Sequence, residues 1–103
     1  MSRLYKIVIH EDAVDELDHI YQLISQDSKT NAKRFIKYLK QNILNLKKFP
    51  RRGSLCKIIN HNVFNELRFI THNGYQIFYD IDAEIVKILH IAGPGQEWLS
   101  FFS

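Results

Sequence analysis

Cysteine occurs once, proline twice and glycine four times in the 103 residues. A lone cysteine, Cys56, cannot close an internal disulfide, so nothing in the chain demands an oxidising compartment. So little proline and glycine excludes collagen-like and low-complexity architectures. No apolar run exceeds a few residues, which excludes a membrane-spanning helix. The opening MSRLYKIVIHEDA has no signal-peptide pattern, so a small cytoplasmic domain is the expectation. There is no glycine-rich phosphate loop, because the only closely spaced glycines are Gly93 and Gly95 on either side of Pro94. His10, His19, His61, His72, His90 and Cys56 show no metal-ligand spacing, and neither a metal nor a cofactor is expected.

Apolar residues are plentiful, at 46%, with 13% aromatics, far from the polar composition of disordered chains. The length suits one compact domain over residues 1–103, large enough to bury a core without staples. The net charge of +3 conceals a strong asymmetry. Glu11, Asp12, Asp15, Glu16, Asp18 and Asp27 make up six of the 11 acids, and no acid at all lies between residues 28 and 65. That stretch carries Lys29, Lys33, Arg34, Lys37, Lys40, Lys47, Lys48, Arg51, Arg52 and Lys57, ten of the 14 cations. Two readings fit: a solvated helix face, or a docking surface for something anionic, either nucleic acid or an acidic protein segment.

The hydrophobic period changes along the chain. Residues 4–9 alternate, with Tyr5, Ile7 and Ile9 on one face, as in a strand. Ala13, Leu17, Ile20, Tyr21 and Ile24 then form a helical stripe whose first turn is acidic, which suits the positive end of a helix dipole. Asp27 and Ser28 offer caps for a second helix over 29–48, with Ala32, Phe35, Ile36, Leu39, Ile43 and Leu46 as its apolar stripe. Lys47 and Lys48 fall in its last turn and Pro50 forbids continuation. The two helices should pack as an antiparallel hairpin.

After a loop over 49–62, residues 63–70 read as a strand and Asn73-Gly74 as the turn of a β-hairpin. Tyr75, Ile77, Tyr79 and Ile81 alternate along the return strand, and Asp82-Ala83 connects it to a last strand over 84–91 that Gly93-Pro94-Gly95 stops. The order is β-α-α-β-β-β, an α+β fold with a helical hairpin on one face of a small, mainly antiparallel sheet. His90 falls by alternation on the face of Val86 and Ile88, which suits a hydrogen-bonded structural role. Cys56, in a loop beside Lys57, reads as an ordinary thiol rather than a nucleophile. The acids of the first helix read as a solvated face and dipole partners rather than as a general acid and base.

The run Leu46-Lys47-Lys48-Phe49-Pro50-Arg51-Arg52-Gly53, then Leu67-Arg68, Gly74-Tyr75-Gln76-Ile77-Phe78-Tyr79 and Ile88-Leu89-His90-Ile91, resembles the RelE/ParE toxins of type II toxin–antitoxin systems. With Ala32 and Phe35 in the second helix, the resemblance spans residues 4–91. It implies a cognate antitoxin whose flexible segment wraps the toxin in a hetero-oligomer. In RelE-like toxins, ribosome-dependent cleavage of mRNA uses lysines before the Leu-Arg pair, an arginine after the hairpin tyrosine, a further arginine after the last strand and a C-terminal Tyr or His. This chain has Phe64-Asn65-Glu66, Gln76, and residues 92–96 without a cation at those places. Losing such phosphate-binding groups removes transition-state stabilisation worth about 3 kcal/mol each.

The chain therefore looks closer to ParE-like toxins, which poison DNA gyrase by binding and need no catalytic residues. Lys33, Lys37 and Lys40 are the expected antitoxin contacts. Arg51, Arg52, Lys57, His61, Trp98, Phe101 and Phe102 are candidates for contact with the target. The aromatic tail has a second reading, folding back over the sheet. The alternatives are a divergent ribosome-dependent ribonuclease, with Arg68, His90 and Tyr79 or the loop residues His61, Arg51 and Arg52 as its centre, and an inactive toxin-fold binding protein.

Overall fold

A computed structural model describes residues 3–57 and 63–102. Strand β1 (Lys6–Ile9) leads directly into α1 (Glu11–Ser25), and His10 marks the switch by accepting the Asp12 N–H on its Nδ1 at 3.1 Å. Ser28 caps α2 (Lys29–Asn45) in the same way, its Oγ accepting from Asn31 N at 3.2 Å. Ala13, Leu17 and Ile20 of α1 and Ala32, Leu39 and Ile43 of α2 are buried, on the stripes that their 3.6-residue period dictates.

A 3₁₀ turn at Pro50–Arg52 and the two-residue strand β2 (Ser54–Leu55) precede a meander of β3 (Leu67–His72), β4 (Tyr75–Asp82) and β5 (Ile85–Ala92). The strand order is β1-β5-β4-β3-β2, with β1 parallel to β5 and every other pair antiparallel. Asn73 and Gly74 both have positive φ, 50° and 83°, the backbone that a tight two-residue hairpin requires. The helical hairpin covers one face of the sheet, over Ile70, Ile77, Tyr79, Ile81, Val86, Ile88 and Ile91. The other face holds Leu67, Phe78, Ala92 and Cys56, with Phe64, Phe69 and Leu89 at its border, and the tail lies across it. Strand β4 is thus buried on both sides.

The expected order holds, with β2 as an addition inside the segment read as loop. Four local expectations change. Helix α2 stops at Asn45, so Lys47 and Lys48 lie beyond its last turn rather than in it. Leu46, fully buried, turns the chain into the core there, and the residue preceding Pro50 disfavours helical backbone. Strand β3 begins at Leu67 rather than at residue 63, because the N–H groups of Asn65 and Glu66 go to the Asp80 carboxylate at 3.2 and 2.6 Å instead of to a ladder partner. The second hairpin turns at Ala83-Glu84, Asp82 pairing with Ile85. Finally, β5 carries a bulge: Phe78 pairs with His90 and Tyr79 with Ile88, leaving Leu89 as the extra residue. The bulge reverses the alternation, so Ile91 joins Val86 and Ile88, and His90 points to the opposite, tail-covered face.

Candidate functional site

An open groove of about 810 Å³ runs between α1, α2 and the end of β1. Helix α1 contributes Val14, Leu17, Asp18 and Tyr21 to it, and α2 contributes the single stripe Lys33, Ile36, Lys37, Lys40 and Leu44. Ile9, from the end of β1, completes the apolar lining. Val14 and Leu44 are 49% and 52% exposed, so the floor presents apolar surface to solvent, and Asp18 is the one acid along it. The three lysines expected to meet an antitoxin therefore stand together on one rim. An apolar trough with a cationic lip is suited to an amphipathic segment that is acidic along one side.

Of the catalytic candidates, Arg68 and Tyr79 meet at the Pro50–Gly53 loop, where Arg51 joins them, and His90 lies apart. Arg68 donates from Nε to Glu66 Oε2 at 2.6 Å and from Nη1 to Gly53 O at 2.7 Å, tying β3 to the Pro50–Gly53 loop. Arg51 forks onto the same carboxylate, Nε at 3.1 Å from Oε2 and Nη2 at 3.2 Å from Oε1, and reaches the Tyr5 hydroxyl at 3.2 Å. The hydrogen bond to Tyr5 and the pair with Glu66 hold the Arg51 guanidinium above its already high ordinary pKa. Burial pushes the Glu66 carboxyl up, but the hydrogen bonds and charges of Arg68 and Arg51 outweigh it and hold it below the usual carboxylate range. Tyr79 is fully buried; its hydroxyl donates to Pro50 O at 2.7 Å and accepts from Gly53 N at 3.2 Å. Burial pushes this phenol up, against the pull of the Gly53 N–H and the nearby arginines.

His90 lies across the sheet from that cluster. Its Nδ1 is 3.2 Å from Glu16 Oε2, its ring stacks on Phe101 at 4.5 Å, and Phe102 meets it edge-on. Trp98 and Phe102 pack on Phe78 at 4.7 and 5.3 Å, so the three tail aromatics line the second core. Arg52 is exposed, with Nη2 on Asn42 O and Oδ1; Lys57 is exposed; His61 lies outside the described residues.

The family model described as the ParE toxin of type II toxin–antitoxin systems matches residues 7–98. The chain belongs to the ParE toxin family. No curated protein matches its sequence. Among solved structures, the toxin resembles a chain of the chromosomal ParDE toxin–antitoxin system of P. aeruginosa, at 14% identity and a TM-score of 0.70, over 88% of this chain and 97% of that one. It also resembles a chain of the RelBE2 toxin–antitoxin complex of Mycobacterium tuberculosis, at 15% identity and a TM-score of 0.65, over 93% and 98%. At these identities the likeness is one of fold.

Three features of this ParE-family toxin escaped the sequence reading. Glu16 accepts the Ile91 N–H at 2.8 Å where β1 has ended, so an acid assigned to a solvated face instead caps an open strand edge. Asp80, nearly buried, organises the approach to β3. The groove floor is built from Val14, Leu44 and Ile9, and the signal for it was present: Val14 and Leu44 are apolar residues off their helices' core stripes. Among the described residues, no helix is long and apolar enough to cross a membrane, and no group of three potential metal ligands exists.

Proposed function

We propose that this toxin acts in the cytoplasm by binding DNA gyrase and trapping it on cleaved DNA, and that a cognate antitoxin neutralises it by laying an acidic, amphipathic segment in the α1–α2 groove. The observation that carries a binding mode of action is the commitment of the catalytic candidates to the fold. Arg68 and Tyr79 hold the Pro50–Gly53 loop, while His90 is enclosed by Glu16, Phe101 and Phe102 on the other face. General acid–base catalysis needs its proton carriers within reach of one reacting group, and these three are divided by the sheet. The choice of gyrase comes from membership of the ParE family together with the missing phosphate-binding cations at Phe64, Glu66 and Gln76.

The test is purified toxin with gyrase and supercoiled plasmid. Accumulation of linear, protein-linked DNA is the expected result. Folded protein that stops growth in cells yet leaves the plasmid intact overturns the gyrase reading and makes translating ribosomes the target. Expression without any growth defect overturns both in favour of a binding protein without toxicity.

A further inference from the structure

At the C-terminal end of α2 the chain assembles a second basic feature, separate from the lysine-rimmed groove. Arg3, Tyr5, Lys48, Phe49, Arg51 and Arg52 surround a depression of about 420 Å³ floored by buried Pro50. The Tyr5 N–H donates to Lys47 O at 3.0 Å, which draws the start of the sheet over the helix end. Tyr5 and Glu66 fix Arg51, and the Asn42 carbonyl and amide oxygens fix Arg52 at 3.1 and 3.2 Å through Nη2 alone, leaving the rest of that guanidinium outward. Two acids face the patch. Glu84 pairs with Arg3, and Glu66 is shared between Arg51 and Arg68. Among the described residues neither Lys48 nor Arg52 has a carboxylate within ion-pair range, so their charge is uncompensated. Between them Phe49 stands 58% exposed, a large ring left in solvent at the centre of a positive field.

Cations that track phosphates beside an aromatic face that takes a base are the two components of single-strand nucleic-acid binding. A purely acidic peptide would use the cations and leave Phe49 in water, and a duplex would keep its base faces stacked and out of reach, whereas an unpaired strand brings a phosphate and a flat ring together at every residue. We propose that this depression binds single-stranded DNA, a phosphate lying against Lys48 and Arg52 and one unpaired base stacked on Phe49. The strand-binding chemistry stands on the patch itself; the choice of DNA over RNA rests on the gyrase reading.

The test is a fluorescence-anisotropy titration of the full chain with labelled oligodeoxythymidine, the corresponding duplex, and oligouridine. Oligodeoxythymidine is expected to bind tightest. Phe49→Ala should weaken it about tenfold, the order of a lost base–aromatic stack. Lys48→Glu should weaken it more than Lys29→Glu, the same charge change at the opposite end of α2, and should flatten the dependence on salt. Phe49, Lys48 and Lys29 are all exposed, so none of these variants opens the core. Absence of binding, a duplex bound as well as the single strand, an unchanged Phe49→Ala, or equal losses from Lys48→Glu and Lys29→Glu would each overturn the site. Tighter binding of oligouridine would overturn the assignment to DNA. No gyrase is present in this titration, so a negative plasmid assay beside intact strand binding removes the target and keeps the site, and the reverse pattern removes the site alone.

Discussion

The hydroxyl of Tyr79 and the backbone of Gly53 share one space. A Cβ added at residue 53 would fall on that hydroxyl and within 2.7 Å of the Phe69 carbonyl oxygen. The glycine is required by this close approach and not by an unusual φ, since its φ of −79° is open to any residue. From the sheet side, Tyr79 reaches through to Pro50 O, so one buried phenol fastens the whole turn between α2 and β2.

Gly53→Ala should accordingly cost about 3 kcal/mol, since backbone as well as side chain must move to admit the methyl group. Tyr79→Phe relieves no clash and strands the Gly53 N–H and the Pro50 carbonyl, a loss of about 2 kcal/mol. Urea unfolding of the two variants against the parent gives both numbers. The raised phenol pKa adds a sign: with the folded value above the unfolded one, Tyr79 contributes stability below about pH 10 that fades as pH rises, and Tyr79→Phe should blunt the alkaline loss.

Acid acts through Glu66. Its folded pKa lies below its ordinary value of 4.5, so the unfolded chain takes up a proton first. The stabilisation is therefore complete above the unfolded pKa and is lost as pH falls through the folded one. Glu66→Gln should lower stability at neutral pH, because Arg51 and Arg68 lose their shared carboxylate, and should flatten the stability profile below about pH 4.5. A profile as steep as the parent's would place the acid sensitivity elsewhere.

Glu16 makes a local prediction. Glu16→Ala leaves the Ile91 N–H without its acceptor and His90 without its carboxylate, at a cost of about 1–2 kcal/mol. Hydrogen exchange at the Ile91 amide should accelerate sharply. Glu16→Gln, which can still accept that N–H, should protect the amide while removing the negative charge beside His90.

Much of this architecture is legible in the sequence, and the exceptions share a cause. Helix α1, the start of α2 and the Asn73-Gly74 turn announce themselves by period and by turn chemistry. Strand β2 has two residues, too few to carry a period, and exists because β3 offers it an edge. The bulge at Leu89 leaves no mark in composition yet reverses every later side chain of β5, which is why alternation misplaces His90. Glu16 and Asp80 read as ordinary acids, since a carboxylate that serves a distant backbone N–H looks, in one dimension, like a solvated one. The lysine rim was visible as charge and spacing; the cavity that it borders required the helices to be packed.

The tail supplies a fourth prediction. Trp98 is the chain's single tryptophan and lies 4.7 Å from the buried Phe78 ring, so its fluorescence reports directly on whether the tail covers the second face. Termination after Glu97 should uncover Phe64, Phe69 and Phe78, lower the unfolding midpoint and promote binding of a hydrophobic dye. Trp98→Ala, which removes one ring of the cluster, should cost about 2 kcal/mol. A truncated protein as stable as the parent would return the aromatic tail to the candidates for target contact.

The groove separates charge from shape. Lys33, Lys37 and Lys40 sit on its rim in solvent, where each contributes long-range attraction more than buried contact; Val14, half exposed on the floor, contributes contact alone. Reversing the three lysines to glutamate should weaken the complex with the cognate antitoxin by about 1 kcal/mol per position at low salt, roughly a hundredfold in all, mainly through slower association. The deficit should shrink as salt rises, because the interactions lost are the screened ones. Val14→Ala, which removes contact without changing charge, should weaken the same complex chiefly by faster dissociation, with a deficit that persists at high salt, where the lysine variant has partly recovered. Isothermal titration and stopped-flow mixing at two salt concentrations distinguish the patterns. Equal salt dependence for parent and lysine variant would mean that the antitoxin lies on another face.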